Sequence, residues 1–205
     1  MSNFKDVLRE YFKEGDLKKI RSAKIGIAGL GGLGSNCAAN LVRSGVNNLT
    51  LVDFDYVEYK NLNRQFYFQN QVGILKVTAL AENLKRINPD IKIISFSERI
   101  EKDNILEFFG ECEIVVEAFD KAEYKSLLVG TLIPTKKLIV SASGLAGCGN
   151  SDDIKTHRLK ENLIIIGDLK SEADVDLPPL SPRVNIAAAK QADAILEYIL
   201  KKSKA

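Results

Sequence analysis

The stretch Gly29-Leu30-Gly31-Gly32-Leu33-Gly34-Ser35 follows the apolar run Lys24–Ala28 and opens a helical pattern. Glycines permit a tight turn and let backbone N–H groups approach phosphate oxygens, while a helix N-terminus adds partial positive charge. Gly29, Gly31, Gly32 and Gly34 are therefore candidate nucleotide-phosphate residues. The run contains the GxGxxG dinucleotide pattern. It also contains GxxxxG, but Ser35-Asn36 stand where a P-loop needs Lys-Ser/Thr, which argues against a Walker-type NTPase. Asp53 ends the next apolar strand pattern, 19 positions after Gly34. A carboxylate there accepts hydrogen bonds from a ribose. Adenine ribose occurs in both NAD and ATP, so Asp53 does not choose between them.

The residues after Asp53 point towards ATP. A polar loop, DFDYVEYKNLNRQ, stands where a dehydrogenase would begin its next helix. Arg64 and Lys76 place two cations downstream of the nucleotide strand. Lys76 falls in the first turn of a helix pattern, where the dipole disfavours a cation. Asp120 follows the fourth strand pattern, at the carboxyl end where ligands of such sheets bind. Two cations and one carboxylate able to hold Mg²⁺ suit a triphosphate under attack.

The elements that must carry these residues alternate. A helical lead-in covers 1–22, with Phe4, Leu8, Tyr11 and Phe12 on one face and a break at Gly15-Asp16. Strand patterns lie at 24–28, 49–52, 91–96, 114–117 and 138–141. Helix patterns lie at 33–43, 74–87, 104–109 and 122–132. That order predicts a Rossmann-like, doubly wound α/β fold with a mostly parallel sheet. Residues 154–159 and 163–167 read as an antiparallel hairpin extending the sheet. Residues 168–182 form a long acidic connection with prolines, and loops of that length are usually functional or disordered. A final helix occupies about 183–202. The whole chain, 1–205, is expected to be a single domain.

Composition narrows the class. The chain has 205 residues, of which 45% are apolar and 27% charged, with a net charge of +2. Such a chain buries enough apolar surface to fold without staples. The charge is too mild to predict nucleic-acid binding. No apolar run is long enough to span a membrane, and MSNFKDVLREYFKEGD lacks a signal core. Cys37, Cys112 and Cys148 show no CxxC spacing and read as reduced cytoplasmic thiols. The lone His157 needs no role.

GLGGLGS, LVDFDYVEYKNLNRQ, VGILKV and VVEAFD, in that order, resemble the ThiF/MoeB superfamily of carrier-protein adenylyltransferases, relatives of ubiquitin-activating enzymes. The resemblance covers about residues 20–145 and the closing LPPLSPRVNIAAAKQADAILEYIL. It is nearest the short ThiF-type enzymes of thiamine biosynthesis. It implies ATP-dependent adenylation of the C-terminal glycine of a ubiquitin-like sulfur carrier ending in Gly-Gly, in a homodimer. By the same resemblance the glycines line the phosphates and Asp53 holds the ribose. Asn61, Arg64, Gln65 and Lys76 bracket the triphosphate, Asp55 supports them, and Asp120 binds Mg²⁺. Arg9 is the nearest candidate for an arginine lent across a dimer interface. The paired CxxC motifs of a structural zinc are absent. Cys148, in GLAGCGNS, is the best-placed thiol. Other readings are adenylation of a different carboxylate (on a molybdopterin carrier or a tRNA), an NAD-dependent oxidoreductase, or a silent module that docks a ubiquitin-like partner.

Overall fold

The computed structural model describes residues 4–201. The lead-in is two helices, α1 (Phe4–Tyr11) and α2 (Glu14–Ser22), not one pattern broken at Gly15. The break comes earlier, because Lys13 is extended. Glu14 and Asp16 then fall in the first turn of α2, where acids suit the helix dipole. Gly15 sits in that same turn. Leu8 is buried and Phe12 packs on the chain's own core, while Val7 and Tyr11 are exposed.

The alternation follows as β1 (Lys24–Ala28), α3 (Gly32–Arg43), β2 (Asn48–Val52), α4 (Lys76–Ile87), β3 (Lys92–Phe96), α5 (Ile105–Phe109), β4 (Ile114–Glu117), α6 (Ala122–Leu132), β5 (Leu138–Ala142), β6 (Lys155–Lys160), β7 (Leu163–Gly167) and α7 (Ser181–Lys201). α4 starts at Lys76 rather than Ile74, because Leu75 is drawn into a bridge with Tyr56. α7 starts at Ser181 rather than 183. Pro182 lies in its first turn, where a missing N–H costs nothing. The expected end at 202 lies outside the described residues.

The sheet order is β3-β2-β1-β4-β5-β7-β6. All pairings are parallel except β6 with β7. The hairpin therefore joins through β7 against β5, and the basic strand β6 forms the edge. Strand periodicity splits the apolar residues between two cores. Ile25, Ile27, Leu49, Leu51, Val116 and Val140 face a cluster shared with residues of α3, α4 and α7. Val52, Val115 and Ile139 face Phe108, Phe109, Leu128 and Leu132 from α5 and α6. The order of strands reverses between β1 and β4. In open α/β sheets the crevice beyond the carboxyl ends at such a point is where ligands bind. Among the described residues no helix is long and apolar enough to cross a membrane.

Candidate functional site

The glycine run caps β1 at that crevice. Gly29 has φ +89°, a left-handed value that glycine adopts freely. Its N–H donates to the carbonyl of Val52 at 2.9 Å, joining the loop to the end of β2. Gly31 is the N-cap of α3, and neither a side-chain cap nor an acid occupies the first turn of that helix. Its N–H groups are thus available to an anion. A Cβ on Gly31 would meet nothing nearer than Gln65 Nε2, at 3.8 Å.

Asp53 organises the second strand end. It is 8% exposed. Its Oδ2 accepts the Leu30 N–H at 2.6 Å and its Oδ1 the Asp55 N–H at 2.8 Å. Burial pushes the Asp53 carboxyl above its ordinary range, against the pull of Lys76 and the two N–H groups. Each carboxylate oxygen has two lone pairs, so both retain capacity for a ribose hydroxyl.

Asp55 holds Lys76 twice. The Lys76 N–H donates to the Asp55 carbonyl at 2.9 Å, and Nζ reaches Oδ2 at 2.8 Å. Lys76 is buried, whereas the Asp55 side chain is half exposed. A carboxylate partner thus accounts for a cation in a first helical turn. Asn61 is buried too, and its Oδ1 accepts the Glu58 N–H at 2.9 Å.

Arg64 and Gln65 are fastened to the head of α3. Asn36 Nδ2 donates to the Arg64 carbonyl at 2.8 Å, and the Phe66 N–H donates to Ser35 Oγ at 3.0 Å. The buried Tyr67 hydroxyl donates to the Leu30 carbonyl at 2.8 Å. The Arg64 stem lies over Gly32, 3.5 Å from where a Cβ would stand. Among the described residues its guanidinium meets only neutral oxygens, on Asn63 and Lys60. Gln65 is buried, and its Oε1 has no partner. Ser35, Asn36 and Tyr67 were not singled out by motif. The signal lay in Ser35-Asn36 replacing Lys-Ser/Thr, since those side chains bind the loop instead of a phosphate.

Asp120 is exposed beyond β4. It does not cap α6, whose N-cap is Lys121 with no side-chain bond. Among the described residues no three His, Cys, Asp or Glu side chains form a metal cage. Magnesium needs none, because it commonly uses one or two carboxylates plus substrate phosphates. Asp120, an exposed carboxylate at the end of the turn that follows β4, is compatible with that pattern.

A sequence model of the ThiF family matches residues 5–202. The chain belongs to the ThiF family. An "Adenylyltransferase and sulfurtransferase UBA4" of Lodderomyces elongisporus is 34% identical over 133 residues, 64% of this chain and 29% of the relative. An "Adenylyltransferase and sulfurtransferase MOCS3" of Aedes aegypti is 34% identical over 140 residues, 68% of this chain and 32% of the relative. The matched part thus spans less than a third of either relative. Escherichia coli tRNA N6-threonylcarbamoyladenosine dehydratase, TcdA, solved in complex with ATP, superposes with a TM-score of 0.89 at 20% identity. That likeness covers 97% of this chain and 94% of the other, and it concerns the fold.

In this ThiF-family chain the last two loops also meet at the rim. The Gly147 N–H donates to the Pro178 carbonyl at 3.0 Å, and the Ala146 N–H to Ser171 Oγ at 3.1 Å. The buried Arg183 pairs with Asp168 at 2.5 Å and donates to the carbonyls of Gly149 and Asn150. Sequence reasoning missed this clasp, because residues 15 apart in an irregular segment carry no periodicity. Cys148 lies exposed on the clasped turn, whereas Cys37 and Cys112 are buried and burial pushes both thiols up. His157 is half-buried beside the Gly167 carbonyl. Arg9 bridges to Asp6 and Glu14 of its own chain.

Proposed function

We propose that this chain adenylates the C-terminal glycine carboxylate of a ubiquitin-like, ThiS-type sulfur carrier, using ATP, in thiamine biosynthesis. The observation that carries the reading is the fastening of Arg64-Gln65 over the head of α3. It brings a cation with no counter-ion and a buried, unpartnered amide oxygen to the glycine loop. The names of the two curated relatives and the ATP held by the solved neighbour support the same chemistry.

In this reading a carrier carboxylate oxygen attacks the α-phosphorus. An acyl–phosphate bond forms, the bond between the α- and β-phosphates breaks, and pyrophosphate leaves. No general base is required, because a C-terminal carboxylate is ionised at neutral pH. The obstacle is charge: two unit anions at about 4 Å repel by roughly 4 kcal/mol at an effective dielectric of about 20. Arg64 and Lys76 offset that repulsion. Gly31, Gly32 and the first turn of α3 cradle phosphate oxygens, while Gln65 and Asp53 accept hydroxyl hydrogens. Asn61 braces the loop. Asp120 would hold a magnesium ion, which would supply positive charge to the phosphates. The partner ends in Gly-Gly, the assembly is a homodimer, and the setting is the cytoplasm.

Pyrophosphate–ATP exchange with a ThiS-type carrier tests the function. Exchange is expected with the intact tail and none with a carrier lacking Gly-Gly. Exchange supported instead by a tRNA-linked acid would replace the substrate, and tight NAD binding without ATP binding would end the reading.

The turn at 144–149 and the connection over 168–180 supply a channel for the tail. Deleting 170–178 is expected to raise the carrier KM while leaving ATP affinity unchanged, as steady-state kinetics and calorimetry would record. Equal damage to both would sink the channel assignment.

A further inference from the structure

The buried carboxylate of Glu117 takes no part in that scheme. Glu117 is the last residue of β4 and is 0% exposed. Burying an ion pair is usually no better for stability than burying apolar residues of similar volume. Packing alone therefore does not explain a carboxylate here. Its partners lie on three segments of the rim. It accepts the Phe119 N–H at 2.8 Å in the turn leading to Asp120. Lys125 on α6 reaches its two oxygens at 3.2 and 3.0 Å. Ser141 Oγ, at the end of β5, donates at 2.5 Å.

The turn so held is also the wall of the glycine loop. The Ala118 N–H donates to the Ala28 carbonyl at 2.9 Å. The Ala118 carbonyl stands 2.9 Å from where a Cβ on Gly29 would be. On its other side the turn runs straight into Asp120. α6 supplies no side-chain cap that would fix this approach. The bond from Phe119 to Glu117 does.

Resting on the assignment of Asp120 above, we infer that Glu117 is a positioning residue, which orients the 118–120 turn so that Asp120 meets a divalent cation on the nucleotide. Lys125 neutralises Glu117 and, by donating to the Ala142 carbonyl at 3.0 Å, ties the same cluster to the strand that enters the 143–149 turn.

The test compares two double variants, each of which removes both charges of the pair. Glu117→Leu with Lys125→Met loses the acceptor for the Phe119 N–H. Glu117→Gln with Lys125→Met keeps one. Mn²⁺ titration by electron paramagnetic resonance, with a non-hydrolysable ATP analogue present, reads the metal site. Calorimetry of the analogue in chelator reads the nucleotide site. The leucine pair is expected to weaken Mn²⁺ binding about 10-fold or more, with metal-free nucleotide affinity within about twofold of the parent and the glutamine pair recovering most of the loss.

Unchanged Mn²⁺ affinity in the leucine pair overturns the inference. So does an equal loss in both pairs, or a matching loss of metal-free nucleotide binding. If the leucine pair does not fold, Glu117→Asp shortens the reach to Phe119 without removing charge, and parental Mn²⁺ affinity there is equally fatal. Asp120→Asn runs in parallel. If it retains parental Mn²⁺ affinity, the metal assignment itself fails and takes this inference with it. If it loses Mn²⁺ while the leucine pair does not, only the role of Glu117 falls.

Discussion

Arg64→Ala is expected to lower kcat for carrier-dependent pyrophosphate–ATP exchange by about 100-fold or more, the loss typical of one preorganised transition-state group. The melting temperature is expected to stay near that of the parent. The structure gives a reason for each half. Among the described residues the guanidinium has no anionic partner and is held by Asn63 Oδ1 and the Lys60 carbonyl. Removing it leaves no buried charge unpaired. The backbone of Arg64, by contrast, is fastened by Asn36, and the alanine keeps that bond. The loop therefore stays in place while the charge disappears. Arg64→Lys is expected to recover little, because a point charge on a flexible stem does not reproduce a planar fork. Near-parental exchange by a folded Arg64→Ala protein would remove Arg64 from the chemistry.

Lys76 makes an instructive contrast. Its side chain is buried against Asp55 at 2.8 Å. A Lys76 variant would strand Asp55 as well as remove a cation, so its kinetics would mix two effects. From the sequence both cations follow the nucleotide strand, Arg64 in the polar loop and Lys76 in the first turn of the next helix pattern. What separates them is a contact between residues 21 positions apart.

The legible part of this protein is the part written locally. Strand alternation, the glycine run and Asp53 declare themselves within windows of a few residues, and the βα order then dictates a parallel sheet. Boundaries slipped where a tertiary contact overrode the pattern. Leu75 left its helix for a bridge with Tyr56, and Lys13 broke the lead-in although nothing in its type requires it. The hidden part consists of side chains that hold other segments: Ser35 and Asn36 on 64–66, Tyr67 on Leu30, Glu117 on three elements, and Arg183 on Asp168. Their spacings obey no period, because each is set by where two strands end rather than by the repeat of either element. Glu117, a glutamate closing an apolar strand, is a local signal that the sequence reading did not single out.

The glycines show the same division within a single motif. Gly34→Ala is expected to destabilise the chain by about 2 kcal/mol net, the upper end of overpacking at about 3 kcal/mol less alanine's helix advantage of about 1 kcal/mol. At about 2–4 °C per kcal/mol for a chain of this length, the melting temperature falls by roughly 4–8 °C. A Cβ there would lie 1.9 Å from the Gly29 carbonyl oxygen and 3.1 Å from Ile27 Cγ2. The oxygen is held in place, because the Gly29 N–H is bonded to the Val52 carbonyl at 2.9 Å. Gly31→Ala meets no such obstacle, with Gln65 Nε2 the nearest atom at 3.8 Å. It is expected to melt with the parent yet bind the ATP analogue more weakly, because its Cβ stands where phosphate must approach. Thermal melts beside calorimetry separate the two substitutions. If Gly34→Ala melted normally, the close approach of α3 to β1 would not be what that glycine provides. If Gly31→Ala bound nucleotide normally, the phosphates would lie elsewhere than over the head of α3. GxGxxG names both positions alike, and the surroundings of each absent Cβ are what separate them, crowded at Gly34 and open at Gly31.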